Sequence, residues 1–286
     1  MSTPSPGAGL RADSSPGGLK AQLGEVWSSL ADLGRGISDD EWTLQTPCPG
    51  WTVAAQYAHV IGTESSLLGR SAPDVDTGSP AHVRNQIGAF NEVWVVSLAS
   101  AGRAQVLDLF DEVTASRREA LARMTDEEFS APSWTPAGEA DYRRFMQIRI
   151  FDCWVHEQDV RDAVGRPGHG SGPAAEQSVD EVVRAAGYVV GKLAGAPPGA
   201  SVRFELTGPV RRDVAVSVVD GRARVVEEID GEPTATLRLS SDAFLRLSCG
   251  RVAPSDVLDG AKLGGIDISG DMQLGRQIAQ HLAFTV

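Results

Sequence analysis

The residues with the clearest potential for chemistry are an aspartate and a histidine in the segment RIFDCWVHEQDVR, residues 149–161. Read as a helix, this segment places Asp152 and His156 on one face, one turn from each other. A carboxylate and an imidazole at this spacing can hold a cation between them, provided that a third ligand comes from elsewhere. The best candidate for that ligand is His59, in a second segment with a helical pattern. Two histidines and one carboxylate would leave coordination positions open, which a catalytic metal requires.

The spacing by itself leaves simpler interpretations open. An Asp/His pair at i,i+4 is also typical of a surface ion pair or a helix cap. A histidine on a mostly apolar helix, such as His59, is also typical of a core histidine with a polar partner. Cys48 lies between two prolines and is a further candidate nucleophile. No histidine neighbours it in the sequence, however, and a buried cysteine usually packs as a small hydrophobe.

Size and charge restrict the class of protein. The chain has 286 residues, which is enough for one large or two ordinary domains. Its net charge of −12 argues against a nucleic-acid surface and against electrostatic binding to an anionic membrane. No apolar run approaches the roughly 20 residues of a membrane span.

The N-terminal residues and the cysteines predict the compartment. Residues 1–18 are rich in Ser, Pro and Gly and lack the apolar core of a signal peptide, so we predict a disordered tail. The three cysteines are far apart and form no CxxC motif, which suits a reducing compartment. Together these features predict a cytoplasmic protein.

Apolar residues recur at helical spacing through the first half of the chain. In one helix, the predicted buried stripe comprises Val83, Ile87, Phe90 and Trp94, and residues 130–138 read as a loop. Long amphipathic helices joined by modest loops are typical of an up-and-down four-helix bundle. The pattern predicts long helices at about residues 19–33, 52–69, 81–98, 103–124 and 140–164.

The pattern of apolar residues changes after residues 168–173, whose Gly, Ser and Pro content marks a domain boundary. Asp220-Gly221 is typical of a tight hairpin turn between strands. We predict a helical domain over residues 19–167 and an α+β domain with a small, mostly antiparallel sheet over residues 174–286. The second domain's patterns predict strands at about residues 201–206, 214–218, 223–227 and 234–239, and helices at about 174–194, 241–247 and 271–282.

Two motifs carry a family resemblance. The first is PCPGWTV at residues 47–53, followed by His59, and the second is DCWVHEQDVR at residues 152–161. Both resemble motifs of the mycothiol-dependent maleylpyruvate isomerase family, which are DinB-like four-helix proteins of actinobacteria. The sequence ISGD at residues 268–271 is similar to part of that family's C-terminal domain, which has a sterol-carrier-like (SCP2-like) shape. The resemblance covers nearly all of the chain after the tail.

The resemblance implies a divalent metal, most often zinc. In the family it is held by the histidine of the first motif and by a carboxylate and a histidine of the second. In this sequence these positions are His59, Asp152 and His156. The characterised isomerase pattern has Glu as the carboxylate, so the shorter Asp152 would draw the metal closer to its own helix. This departure leaves the reaction and the metal preference open.

The resemblance also implies mycothiol as a thiol cosubstrate. A thiol at an open coordination position would ionise because the cation lowers its pKa, and the thiolate is the nucleophile. We therefore expect an isomerase or an S-transferase that acts on a small electrophile, since the adduct can either persist or rotate and collapse. We expect Arg84, and next Arg149, to stabilise negative charge on the substrate, and Asp159 to orient a histidine ligand.

Two other functions are also compatible with these residues. One is a non-catalytic carrier that binds a metal or a small ligand, and the other is a metal-dependent hydrolase. The expected partners are the electrophile and the low-molecular-weight thiol, without nucleic acid or membrane. We expect the chain to act as a monomer or a homodimer.

Overall fold

The computed structural model describes residues 10–285 and divides the chain into two compact units. One unit comprises residues 13–169, and the other comprises residues 170–285 together with residues 10–12. Of the predicted disordered tail, residues 1–9 lie outside the described residues. The prediction of disorder was wrong at the end of that tail, because Pro16 to Gly18 form the first turn of a helix. Ser15 caps this turn, and proline is favoured at the first helical position.

The unit of residues 13–169 is helical, as predicted. Helix α1 packs against α5 and α7, and α3 packs against α4, α5 and α7. The first ten residues of α3, VAAQYAHVIG, are nearly all small or apolar. This composition allows the helix to pack against neighbours on several sides. The helices of this unit are α1 Pro16–Gly36, α2 Asp39–Trp42, α3 Val53–Leu67, α4 Gln86–Leu98, α5 Arg103–Arg123, α6 Asp126–Phe129 and α7 Tyr142–Ala163.

A short hairpin takes the place of the loop that we predicted at residues 130–138. Strands β1 Pro132–Thr135 and β2 Gly138–Asp141 pair in antiparallel fashion. Each strand has only 4 residues, which is too few for an alternating pattern to be recognised. Asp141 ends the hairpin and caps α7, because its carboxylate accepts a hydrogen bond from the backbone N–H of Arg144 at 2.8 Å.

Helix α4 departs most from its prediction. It begins at Gln86 rather than near residue 81, because the Asn85 side chain supplies the N-cap. Of the predicted stripe, Trp94 is buried, whereas Ile87 and Phe90 are 41% and 37% exposed. The helix packs mainly against α3, so only part of its apolar surface is covered.

The second unit is α+β, as predicted. Its five strands form one sheet in the order β5-β4-β3-β6-β7 within the described residues. Strands β3 and β6 are parallel and the other neighbours are antiparallel. Helix α10 and strand β7 were not predicted. The elements are α8 Pro173–Tyr188 with a π-helical turn at Val189–Leu193, β3 Ser201–Thr207, β4 Arg212–Val219, β5 Arg222–Val226, β6 Ala235–Ser240, α9 Ser241–Ser248, α10 Pro254–Leu258, β7 Ile266–Gly270 and α11 Met272–Gln280.

The turn between β4 and β5 lies at the predicted dipeptide. Asp220 and Gly221 have φ values of 51° and 72°, and two positive φ values are the requirement of a type I′ hairpin turn. In β3, Val202, Phe204 and Leu206 are buried and alternate with partly exposed residues, as one covered face demands. No helix within residues 10–285 has the length and apolar character needed to cross a membrane.

Candidate metal centre

The two histidines and the aspartate singled out in the sequence converge inside the helical unit. His59 comes from α3, and Asp152 and His156 come from α7. Nε2 of His59 lies 2.9 Å from one carboxylate oxygen of Asp152, and Nε2 of His156 lies 3.4 Å from the other. The potential ligand atoms of all three side chains lie within 4.8 Å of one another. The structure therefore brings together residues that are far apart in the chain.

Burial and charge set the protonation of this cluster. Burial lowers the pKa of His59 below its ordinary value, which favours the neutral imidazole that binds metals. Burial by itself would raise the pKa of Asp152, but the neighbouring His59 and Arg149 outweigh it, so this pKa lies well below its ordinary value. Burial also disfavours charge on His156, but the neighbouring carboxylates of Asp152 and Asp159 raise its pKa. A cation would displace that proton on binding.

Arg149 is buried and forms ion pairs inside the bundle. Its guanidinium is paired with Asp152, and its Nη2 atom donates to Glu64 at 2.7 Å. Glu64 is fully buried on α3, and its other oxygen accepts from Nε of Arg117 on α5 at 2.9 Å. Arg117 also donates to the hydroxyl of Tyr142 at 3.1 Å. These alternating charges connect α3, α5 and α7 and hold the Asp152 carboxylate in place.

The other ring nitrogen of His156 faces a second carboxylate. Its Nδ1 atom lies 3.5 Å from Oδ2 of Asp159, which is itself buried on α7. This matches the common arrangement in which a carboxylate orients a metal-binding histidine. Neither Nδ1 of His156 nor Nδ1 of His59 has a hydrogen-bond partner within the described residues.

An indole ring covers the two imidazoles. The centroid of the Trp51 ring lies 5.1 Å from that of His59 and 5.5 Å from that of His156. The indole N–H donates to Glu92 of α4 at 3.2 Å, and the same carboxylate oxygen lies 2.9 Å from Nε2 of His82. Trp51 is buried and forms an apolar wall beside the cluster.

The two arginines expected to contact a substrate have different surroundings. Arg84 is exposed, in the loop before α4 rather than in the helix. No hydrogen bond or ion pair joins it to His59, Asp152 or His156 among the residues that the structure describes. Arg149 pairs with the carboxylates of Glu64 and Asp152, so its position suits holding Asp152 rather than contacting a substrate.

Several contacts of this site were not predicted from the sequence. Glu64 lies in a segment of otherwise small or apolar residues, and a buried carboxylate requires a cation as its partner. Its position in that segment is therefore a sequence signal of a buried ion pair. Its partner Arg117, by contrast, has no distinguishing pattern in a charged helix. The thiol of Cys48 lies within 4.8 Å of ligand atoms of both His156 and Asp159, which no sequence spacing indicates.

The donor set fits a divalent cation. Two imidazoles and one carboxylate form a common set for zinc with open positions. The side chains of His59 and His156 are only 3% and 9% exposed, whereas Asp152 is 29% exposed, so the cluster is sheltered yet reachable on one side. The unpartnered Nδ1 of His59 shows that hydrogen bonding alone does not account for this buried imidazole.

Both units match known families. Residues 23–161 match the family described as the mycothiol maleylpyruvate isomerase N-terminal domain, and this range includes His59, Asp152 and His156. Residues 192–283 match the SCP-2 sterol transfer family. The two matches together extend over most of the described chain.

Individual proteins are also similar to this chain. Two uncharacterised proteins from two strains of Mycobacterium tuberculosis are each 26% identical over 204 residues, which is 68% of this chain and 74% of theirs. Two crystal structures of a mycothiol-dependent maleylpyruvate isomerase, one of them a mutant, match with TM-scores of 0.56 and 0.54. Their identities are 14% and 15%, and the matches cover 89% of this chain and 92% of theirs. This likeness shows a common fold.

Proposed function

We propose that this chain, which joins an N-terminal domain of the mycothiol maleylpyruvate isomerase family to a domain of the SCP-2 sterol transfer family, is a metal- and mycothiol-dependent enzyme. The proposed reaction is cis–trans isomerisation of a small unsaturated acid, with S-transfer to an electrophile as the alternative outcome of the same chemistry. The names of the matched family and structures support the thiol and the isomerisation. The free cysteines are consistent with a cytoplasmic reaction.

The observation that carries this proposal is the convergence of His59, Asp152 and His156, with ligand atoms within 4.8 Å of one another. A divalent cation such as Zn²⁺ held by these three residues would lower the pKa of a thiol that reaches an open position, and so supply a thiolate nucleophile. The protein's own task is to keep two neutral imidazoles and one anionic carboxylate in fixed positions.

Arg149 is proposed as a positioning residue. It holds the Asp152 carboxylate in its ionised form, and Glu64 in turn fixes the guanidinium. Asp159 does the same for His156 by facing its Nδ1 atom. Asp152 and His156 therefore each have a charged neighbour that fixes their orientation before a substrate arrives.

The approach to the site is proposed to lie on the partly exposed side of Asp152, with Trp51 and the loop before α4 at its edge. The indole ring excludes water from one side of both imidazoles, and its N–H is held by Glu92. Arg84 remains our candidate for binding a substrate carboxylate, because it is an exposed cation two residues after His82, which also pairs with Glu92. Binding the charged end of a substrate would place its double bond near the donor set.

The test measures metal and thiol dependence together. The purified protein is analysed for bound metal and then assayed with maleylpyruvate and with monochlorobimane, in each case with and without mycothiol. We expect isomerisation or conjugation that requires both metal and mycothiol. His59→Ala should lose bound metal and at least a hundredfold of the activity, while His281→Ala, an exposed histidine of the other unit, should retain both.

Other outcomes have definite meanings. Turnover that needs metal but no thiol would contradict the proposal and favour a metal-dependent hydrolase. Binding of a small ligand without turnover would favour a carrier. Full activity in His59→Ala would remove the basis of the proposed metal centre.

A further inference from the structure

Cys48, His156 and Asp159 form a second group of potential metal ligands. Their ligand atoms lie within 4.8 Å of one another, although Cys48 precedes α3 and the other two residues lie on α7. His156 therefore belongs to both groups, with Nε2 facing Asp152 and Nδ1 facing Asp159. A thiol, an imidazole and a carboxylate form a softer donor set than the two imidazoles and carboxylate described above.

The spacing on this side of His156 is wider than a hydrogen bond. Nδ1 and Oδ2 of Asp159 are 3.5 Å apart, and Nδ1 has no hydrogen-bond partner within the described residues. Two ligand atoms that are each about 2.0–2.1 Å from a tetrahedral zinc ion lie about 3.3 Å apart. The His156 side chain is 9% exposed and that of Asp159 is 2% exposed, so bulk water has little access to the space between them. The gap matches the separation of two ligands of one cation.

We propose that Cys48, His156 and Asp159 bind a thiophilic divalent cation, and that this cation competes with the one bound by His59, Asp152 and His156. The inference rests on the proposed function, because competition requires that first site. A neutral imidazole has a single lone pair on nitrogen. When Nδ1 binds the thiophilic cation, the proton resides on Nε2, and His156 cannot ligate on the side of Asp152.

Two arrangements of His156 therefore exclude each other. With a cation at the first group, Nδ1 carries the proton and points toward Asp159. With a cation at the second group, that cation takes the position of the proton, and the Cys48 thiol loses its own proton to become a ligand. Occupation of the second group removes one of the three ligands from the first, so a thiophilic cation acts as an inhibitor.

The experiment uses Cd²⁺ as a probe with the full-length protein. Cd²⁺ is titrated into metal-free protein while the ultraviolet charge-transfer absorption of cadmium thiolate is recorded. We expect a band that saturates at one equivalent, is lost in Cys48→Ser and persists in Cys249→Ser, a matched control in the other unit. The band should also persist in Asp152→Asn, because Asp152 belongs only to the first group.

A second measurement tests competition. The zinc-loaded protein is treated with Cd²⁺ and the released zinc is followed with an indicator dye. Cys48→Ser should require at least tenfold more Cd²⁺ for half-release. Asp159→Asn, checked for folding by circular dichroism, should retain the band with at least tenfold weaker Cd²⁺ binding, and so serves if Cys48→Ser does not fold.

Three results would overturn the inference. These are a missing band in the wild type, a band that survives in Cys48→Ser, and loss of the band in Asp152→Asn, which would mean that Cys48 belongs to a single common site. Failure of the proposed function has a different signature. In that case the band would follow Cys48 as expected, but the wild type would bind no zinc through His59.

Discussion

At the scale of single residues, the chemistry of this protein depends on how charged groups are held in the buried interior of the helical unit. Asp152 is a suitable candidate ligand because it is anionic, and the neighbouring His59 and Arg149 keep its pKa low despite burial. Arg149 in turn is acceptable in the interior only because Glu64 pairs with it. Removing any one of these groups deprives another buried charge of one of its partners.

Asp159 offers a direct test of ligand orientation. Asp159→Asn keeps the size of the side chain but removes the negative charge that faces Nδ1 of His156. We expect the affinity for Zn²⁺ to fall by about 10–100-fold, as is usual for a residue that orients a metal-binding histidine. Competition with a chelator of known affinity measures this, and Asp162→Asn, an exposed position on the same helix, is the control. Equal affinities in the two variants would contradict the assignment.

Glu64 should matter for stability far more than a surface carboxylate does. Glu64→Gln weakens the ion pairs with Arg117 and Arg149, and both guanidiniums then stay buried without a full counter-charge. We expect a loss of about 3–5 kcal/mol in the free energy of unfolding, measured with urea. Glu112→Gln, which affects an exposed pair with Arg70, should cost about 0–1 kcal/mol. Similar losses in the two variants would refute the role of the buried network.

His169 gives a pH dependence with a defined sign. Burial disfavours its charged form, but pairing with Glu157 and Glu25 raises its pKa above the ordinary 6.5. The stabilisation is therefore fully present below pH 6.5 and is lost as the pH rises through the folded-state pKa.

The comparison that measures this effect is with His169→Asn, since φ is 52° at this position and asparagine tolerates that conformation. The difference in unfolding free energy between the wild type and the variant should shrink as the pH rises above 6.5. A difference that is constant with pH would show that the imidazole is not charged in the folded protein.

Secondary-structure elements determine which side chains can meet. Helix α3 carries both His59 and Glu64, and α7 carries their partners Asp152 and Arg149. The close packing of these two helices is therefore a condition for the ligand set and for the ion-pair network alike. Helix α4 has a looser role, because it packs mainly on α3 and supplies Glu92 to the indole of Trp51.

Gly62 allows the close approach of α4 to α3. A Cβ atom at this position would lie 2.3 Å from Cγ of Trp94, which no side chain can tolerate without movement. We expect Gly62→Ala to destabilise the protein by about 1–3 kcal/mol. It should also weaken metal binding, because α3 would shift.

The control for this variant is Gly17→Ala. Gly17 lies in the first turn of α1, and a Cβ atom there would meet nothing within 4 Å. Alanine at this position should be neutral or stabilising by up to about 1 kcal/mol. Thermal and urea unfolding of both variants provide the comparison, and a tolerated Gly62→Ala would show that α4 can move away without cost.

For the whole molecule, all three proposed ligands belong to one of the two compact units. His59, Asp152 and His156 lie within residues 13–169, and this unit has its own apolar core. The other unit has a separate core between its sheet and its helices. A unit with its own core is expected to fold alone.

This division predicts the behaviour of a fragment. A fragment of residues 13–169 should fold and bind Zn²⁺ with an affinity within about threefold of that of the full chain, because every ligand and every residue that orients one is present. Circular dichroism and chelator competition measure the two properties. A folded fragment with much weaker zinc binding would mean that the second unit contributes to the metal centre.

The sequence by itself determined what local rules can determine. The spacing of apolar residues predicted the long helices of the first unit and most strands of the second, and Asp220-Gly221 predicted its turn. The i,i+4 spacing of Asp152 and His156 placed them on one face of a helix, and His59 was the best candidate for a third ligand, which the motif resemblance supported. The hairpin at β1 and β2 was too short to be visible in the same way.

Only the tertiary structure decided which residues that are distant in the sequence lie close together in space. Packing of α3 against α5 and α7 created the buried pairs of Glu64 with Arg117 and Arg149, and no spacing in the sequence encodes them. The same packing placed Cys48 next to His156 and paired Arg149 with Asp152. The physical reason is that a charge or a thiol acquires its chemistry from its neighbours in space, and folding alone supplies those neighbours.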